Sequence, residues 1–235
     1  MDNIDLPRPA QEEVQPTKPI FTEVTTAEEL RGLLSTRNAH EQTLASERVQ
    51  GNLSKLVERT KEAEKKLFVM DLGEGQWAVV ANSEQDAQQV QGKLTELSKL
   101  QDTVDAEKLW GMCIYIHEFA SGLGISNGNF SATSRKGNLE DSVYQIRGIH
   151  DIGYVDLPDQ KKSVYFDLTS KPYFFTDGSA NDAVMQGIVI IEELGKSGAV
   201  ESLYQNNWRR EPFQPDQPLS QHVIQTGKDK FLKQK

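Results

Sequence analysis

Only one of the 235 residues is cysteine, Cys113, so the chain can form no intramolecular disulfide and no multi-cysteine cage for a structural zinc ion. Positive charge is the scarcer sign. Lys and Arg number 26 against 35 Asp and Glu, a formal net charge of −9, which argues against non-specific binding to nucleic acid or to an anionic membrane surface, since both need a positive field. Long apolar runs are missing too: no stretch approaches the roughly 18 residues of a membrane-spanning segment. The opening string MDNIDLPRPAQEEVQP lacks the basic start and apolar run of a Sec signal peptide. Proline is nearly absent from the middle of the chain, where only Pro158 and Pro172 fall between residues 21 and 205.

The other prolines mark the ends. Pro7, Pro9, Pro16 and Pro19 lie at the start, and Pro212, Pro215 and Pro218 near the finish, among polar strings such as EPFQPDQPLSQ and GKDKFLKQK. These predict a disordered N-terminal segment over residues 1–24 and a polar Pro- and Lys-rich tail over 206–235. A helical accessory segment is expected over 25–66 and a folded core over 67–205. Thr26 and Glu29 make a capping box ahead of Leu30, Leu33 and Leu34, and a second stretch carries Val49, Leu53, Leu56 and Val57. That thin apolar stripe on charged helices either packs on the protein's own core or docks a protein partner.

From residue 67 the character changes. Two apolar runs flank Gly73-Glu74-Gly75 in LFVMDLGEGQWAVVA, a hairpin signal, and Ser83 then opens a polar helix carrying Ala87, Val90, Leu94 and Leu97. The most apolar helical stretch is LWGMCIYIHEFASGLG, residues 109–124, read as a buried central helix. Residues 125–140 read as a Gly, Ser and Asn loop. Strands are expected over 143–155 and 163–168, with a third at Tyr173, Phe174 and Phe175, and a helix over 180–198. This order predicts an α+β fold, with N-terminal helices and a buried central helix packed on a small antiparallel sheet.

Cys113 is either a small buried residue or a nucleophile. Gly111 can break the preceding segment and leave Cys113 near the N-terminus of the apolar helix, where free N–H groups and the helix dipole stabilise a thiolate. A second pair is His150 and Asp167. The loop DLPDQKK joins their strands, and a hairpin folded symmetrically between Pro158 and Asp159 places the two directly opposite each other. A carboxylate there holds the imidazole in one tautomer and leaves its other nitrogen to deprotonate a thiol. Cys113, His150 and Asp167 are therefore the candidate catalytic residues.

The strings GMC at 111–113, GIHDIGYV at 148–155 and VYFDLTSKPYFF at 164–175 follow one another as thiol at a helix, His on a strand, and acid on the next strand. In that order the chain resembles papain-like cysteine peptidases, particularly the compact bacterial effector type exemplified by the YopT-like peptidases, over about residues 109–175. The resemblance implies a papain-like core and a cysteine-dependent hydrolase or acyl transferase, most simply a peptidase acting on protein. It also makes the Pro- and Gln-bearing start compatible with export from a bacterium without a Sec signal, into a host cell, as an alternative to a cytoplasmic protein. A non-enzymatic interaction protein, using the N-terminal helices and a buried Cys113, stands beside it.

Other groupings carry less. Cys113 and His117 share a helix face at metal-ligand spacing but lack a third ligand, so neither a metal nor a cofactor is expected. Asp156, Asp159 and Gln160 read as turn residues. Gly122, Gly124 and Gly128 make no phosphate-binding loop, because no strand precedes them. Six basic residues against three acidic ones in the last thirty residues read as a solvated tail.

Overall fold

The computed structural model describes residues 20–35, 47–71, 76–103, 113–132, 151–168, 188–204 and 208–231. In chain order these form β1 (Ile20–Val24), α1 (Ala27–Ser35), α2 (Glu47–Glu62), β2 (Lys66–Asp71), β3 (Gln76–Ala81), α3 (Glu84–Gln89), α4 (Gln91–Thr103) and α5 (Cys113–Gly122). After them come β4 (Gly128–Ala132), β5 (Asp151–Leu157), β6 (Lys162–Phe166), β7 (Ile188–Glu193), α6 (Gly198–Tyr204), β8 (Trp208–Pro212) and α7 (Pro218–Phe231). The fold is α+β.

All eight strands belong to one sheet in the order β1-β2-β3-β7-β6-β5-β4-β8. Neighbours run antiparallel except β3 and β7, which are parallel, Ala78 to Val80 lying beside Ile188 to Ile190. Alternation along the strands divides the core into two layers. On one face Phe68, Met70, Val79, Val164, Phe166, Val189 and Ile191 meet Leu94 and Leu97 of α4, Ile116 and Phe119 of α5, and Val223 and Phe231 of α7. On the other face Leu67, Val69, Val80, Tyr165, Ile188 and Ile190 meet Leu30 of α1, Leu53, Leu56 and Val57 of α2, and Val200 and Leu203 of α6. Each such aliphatic or aromatic side chain contributes about 1.5–3 kcal/mol by leaving water.

Local signals explain where the helices begin. The N–H of Glu29 donates to Thr26 Oγ1 at 3.1 Å, and the Thr26 N–H donates back to Glu29 Oε2 at 3.2 Å. The Thr25 N–H also reaches that carboxylate, at 2.8 Å, and these bonds hold the Glu29 carboxyl below its ordinary value. Ser83 caps α3 by accepting from the Asp86 N–H at 3.1 Å. The hairpin expected over 67–81 is formed by β2 and β3.

Several expectations change. The sheet is mixed and eight-stranded rather than small and antiparallel, because four strands fall where none was read. Ile188–Glu193 is a strand, β7, within the span expected as a helix; its four successive β-branched side chains are buried on alternate faces, as a strand covered on both sides requires. The expected loop over 125–140 contains β4, whose polar Asn129 and Ser131 hide the strand pattern. Residues 20–24, expected to be disordered, form β1 against β2. Residues 208–231, expected as a tail, form β8 and α7, with Val223 and Phe231 buried. The third strand proposed at 173–175 lies outside the described residues, as do residues 1–19 of the N-terminal segment. The apolar stripe of α1 and α2 faces the protein's own sheet.

Candidate active site

Helix α5 is held on three sides. Ile116, Phe119 and Ala120 pack into the first core layer. Glu118, itself buried, accepts a hydrogen bond from Asn129 Nδ2 of β4 at 3.0 Å and another from the Ser220 hydroxyl of α7. Gly227 of α7 sits so close that a Cβ there would lie 2.4 Å from the Phe119 ring. At the helix C-terminal end the Ser121 hydroxyl donates to the His117 carbonyl at 3.0 Å and lies 2.7 Å from the Ser126 hydroxyl.

Cys113 is the first described residue of this helix and is half-buried. One turn further on, His117 is fully buried, and its Nε2 lies 3.5 Å from Asp167 Oδ1, also fully buried. Neither imidazole nitrogen makes a hydrogen bond. The ring occupies space left by a missing side chain: a Cβ on Gly153 would lie 3.0 Å from His117 Nδ1 and 2.5 Å from the Phe166 ring. Phe166 meets the imidazole edge-on, with centroids 5.8 Å apart. Asp151, the first residue of β5, is buried on the same side of the strand as Gly153. The end of the β5–β6 hairpin thus brings a carboxylate to an imidazole borne by the same helix as the thiol.

The hairpin register differs from the symmetric one expected. Gly153 faces Phe166 and Leu157 faces Lys162, so the hairpin is centred between Asp159 and Gln160. Carried one pair outward, this register sets position 152, not 150, against Asp167. The reason is the turn: Pro158–Gln160 forms a short 3-10 helix, and Lys161, at φ 54°, closes it in the left-handed region. His150 lies outside the described residues. His117, considered from sequence only as a possible metal ligand, is the imidazole that the described residues place beside Asp167. Among the described residues no group of three or more His, Cys, Asp or Glu is placed to hold a metal ion.

A second polar cluster lies on the opposite face of the sheet. The Arg210 guanidinium of β8 donates to both oxygens of Asp156 at 3.0 and 2.9 Å, to the Ser163 hydroxyl at 3.0 Å, and to the Tyr165 hydroxyl. It also stacks 4.8 Å from the Tyr154 centroid. The Tyr165 hydroxyl donates to the Lys196 carbonyl at 2.6 Å. Burial pushes the Tyr165 phenol up to about 12, against the opposing pull of Arg210. Arg210 and Asp156, read as tail and turn residues, fasten the edge strand to the hairpin. Only the pairing of β8 with β4 made that visible. Every guanidinium nitrogen of Arg210 is occupied by partners within the protein.

Comparison with known protein families, with characterised proteins and with solved structures found no match to this chain. No helix among the described residues is long and apolar enough to cross a membrane.

Proposed function

We propose that this protein is a cysteine-dependent hydrolase or acyl transferase, most simply a peptidase, with Cys113 as the attacking thiol. The observation that carries the reading is the fully buried imidazole–carboxylate pair one helical turn from the only cysteine of the chain. Buried titratable pairs beside a nucleophile are a recurrent way to set its protonation state. In the proposed reaction the S–H proton of Cys113 passes to His150, the sulfur adds to a carbonyl carbon, the C–N bond breaks as His150 returns the proton to the departing amine, and Asp167 supplies the buried negative charge. The backbone N–H of Cys113 is the proposed donor to the oxyanion. Protein chains are the proposed substrates, and delivery into a host cell as a bacterial effector is the setting that the papain-like resemblance supports.

The test is hydrolysis of a fluorogenic peptide library by the full chain. Cys113→Ala is expected to abolish turnover while thermal stability changes by no more than about 1–2 kcal/mol. Full turnover by a folded Cys113→Ala protein contradicts the proposal. His150→Ala is expected to lose turnover while keeping the fold.

A further inference from the structure

We propose that the outer edge of β8 is an interface between two copies of this chain, which pair their β8 strands antiparallel about a two-fold axis passing through Arg210. The dimer does not rest on the catalytic reading. β8 stands at one end of the eight-stranded order, and among the described residues only β4 pairs with it. The Phe213 N–H donates to the Asn127 carbonyl at 3.0 Å, and hydrogen-bonded positions alternate along an antiparallel pair. Arg209 and Glu211 therefore turn their backbone groups toward β4, while the N–H and C=O of Arg210 point outward. Outward backbone groups on an edge strand are a template for a further strand.

The order of side chains in β8, WRREP, is what selects a second copy. Pairing centred on Arg210 lets the Arg210 N–H of each copy donate to the Arg210 carbonyl of the other. The same register sets Arg209 opposite Glu211 and Trp208 opposite Pro212 on both sides of the axis, as a two-fold interface requires. Arg209 and Glu211 are exposed and share a face, at the non-hydrogen-bonded positions where side chains across the gap lie closest. The Ser131 hydroxyl donates to Glu211 at 3.4 Å, and Trp208 stacks on Phe130 with centroids 5.3 Å apart, so both faces of the strand are ordered by β4. Sliding one copy by two residues brings Arg209 against Arg209 or Glu211 against Glu211, and like charges directly opposite are unfavourable. Arg210 tolerates the axis because its guanidinium is already held by Asp156 at 3.0 and 2.9 Å. Pro212, which has no N–H to donate, falls at the end of the pairing rather than its centre. The opposite edge of the sheet has no such complement: the only charged side chain of β1, Glu23, is engaged by Lys66 at 3.0 Å.

The experiment is sedimentation velocity of the full chain, of Arg209→Glu, of Glu211→Arg and of an equimolar mixture of the two variants. A five-residue edge makes a small interface, so loading runs from about 5 to about 200 μM. The unsubstituted chain is expected to pass from monomer toward dimer across that range. Each single variant is expected to associate at least about tenfold more weakly, since it sets like charges opposite each other at both 209–211 contacts. The mixture is expected to recover the dimer, because an acidic edge then meets a basic one. A monomer throughout, a dimer formed equally well by both single variants, or a mixture that stays monomeric overturns the inference. If a variant does not fold, the unsubstituted chain decides by amide hydrogen exchange. The Arg210 amide should gain protection as concentration rises, and protection independent of concentration overturns the pairing.

Discussion

His117 Nε2 lies 3.5 Å from Asp167 Oδ1, with both side chains fully excluded from water. The pair ties helix α5 to the end of β6, and its removal should be felt in stability as well as reactivity. Removing either side chain takes a buried polar contact from the other, at a cost of about 1–3 kcal/mol. Asp167→Ala and His117→Ala should each lose a measurable part of the folding free energy in urea titrations. The double variant should lose less than the sum, with a coupling of at least about 1 kcal/mol. Strict additivity means that the two side chains do not interact.

Glu118, the next residue along α5, predicts a different kind of loss. Its carboxylate takes donors from β4 and α7, so Ser220→Ala and Asn129→Ala each remove one of them from a buried acceptor. Each should cost about 1–3 kcal/mol. Hydrogen exchange of α5 amides is the direct check, since these bonds hold that helix in place. Unchanged protection in both variants contradicts the role assigned to Glu118.

The clearest steric prediction concerns Gly128. A Cβ there would sit 2.2 Å from the Glu211 carbonyl oxygen and 2.9 Å from the Phe213 nitrogen, both backbone atoms at the C-terminal end of β8. Gly128→Ala must push β8 away from β4 and should destabilise by about 1–3 kcal/mol or more. At Gly92, where a Cβ meets nothing within 4 Å, Gly92→Ala should stabilise by about 0.5–1 kcal/mol, since the position is helical. Thermal unfolding of the two variants compares them, and equal effects contradict the packing of β8 on β4.

Tyr165 predicts how stability responds to alkali. Its phenol is pushed from the ordinary 10.0 to about 12, so the folded state holds this proton more tightly than the unfolded chain does. The contribution is fully present below pH 10 and is lost as the pH rises from 10 toward 12. Tyr165→Phe should remove that part of the alkaline decline. It should also lower stability by about 1 kcal/mol at neutral pH, where the Lys196 carbonyl loses its donor. Urea unfolding between pH 8 and pH 11 checks both effects, and parallel curves for the two proteins contradict the assignment.

Much of the fold was legible where chemistry is local. The capping pair Thr26 and Glu29, the cap at Ser83, the hairpin of β2 and β3, and the apolar helix around Ile116 and Phe119 are each written in a few adjacent residues. What escaped was decided at a distance. Ile188–Ile191 is apolar enough for a buried helix or a buried strand, and only its place between β3 and β6 settles the matter. Trp208–Pro212 is polar because it is an edge strand, and its Arg210 gains meaning from Asp156 and Tyr165 far back in the chain. The candidate site followed the same rule. Asp167 at the end of a strand was visible from its neighbours. The proximity of His117 to Asp167 depends on Gly153 giving up its side chain and on a hairpin centred one residue later than symmetry suggests.

The central claim is that Cys113 is an activated thiol, and its reaction rate in the unsubstituted protein tests it most directly. Iodoacetamide at pH 6.5 should alkylate Cys113 at least about tenfold faster than it alkylates N-acetylcysteine, because a free thiol, with its pKa of about 8.5, is almost wholly protonated there. A rate equal to or below that of the free thiol contradicts the account and leaves Cys113 an ordinary half-buried side chain.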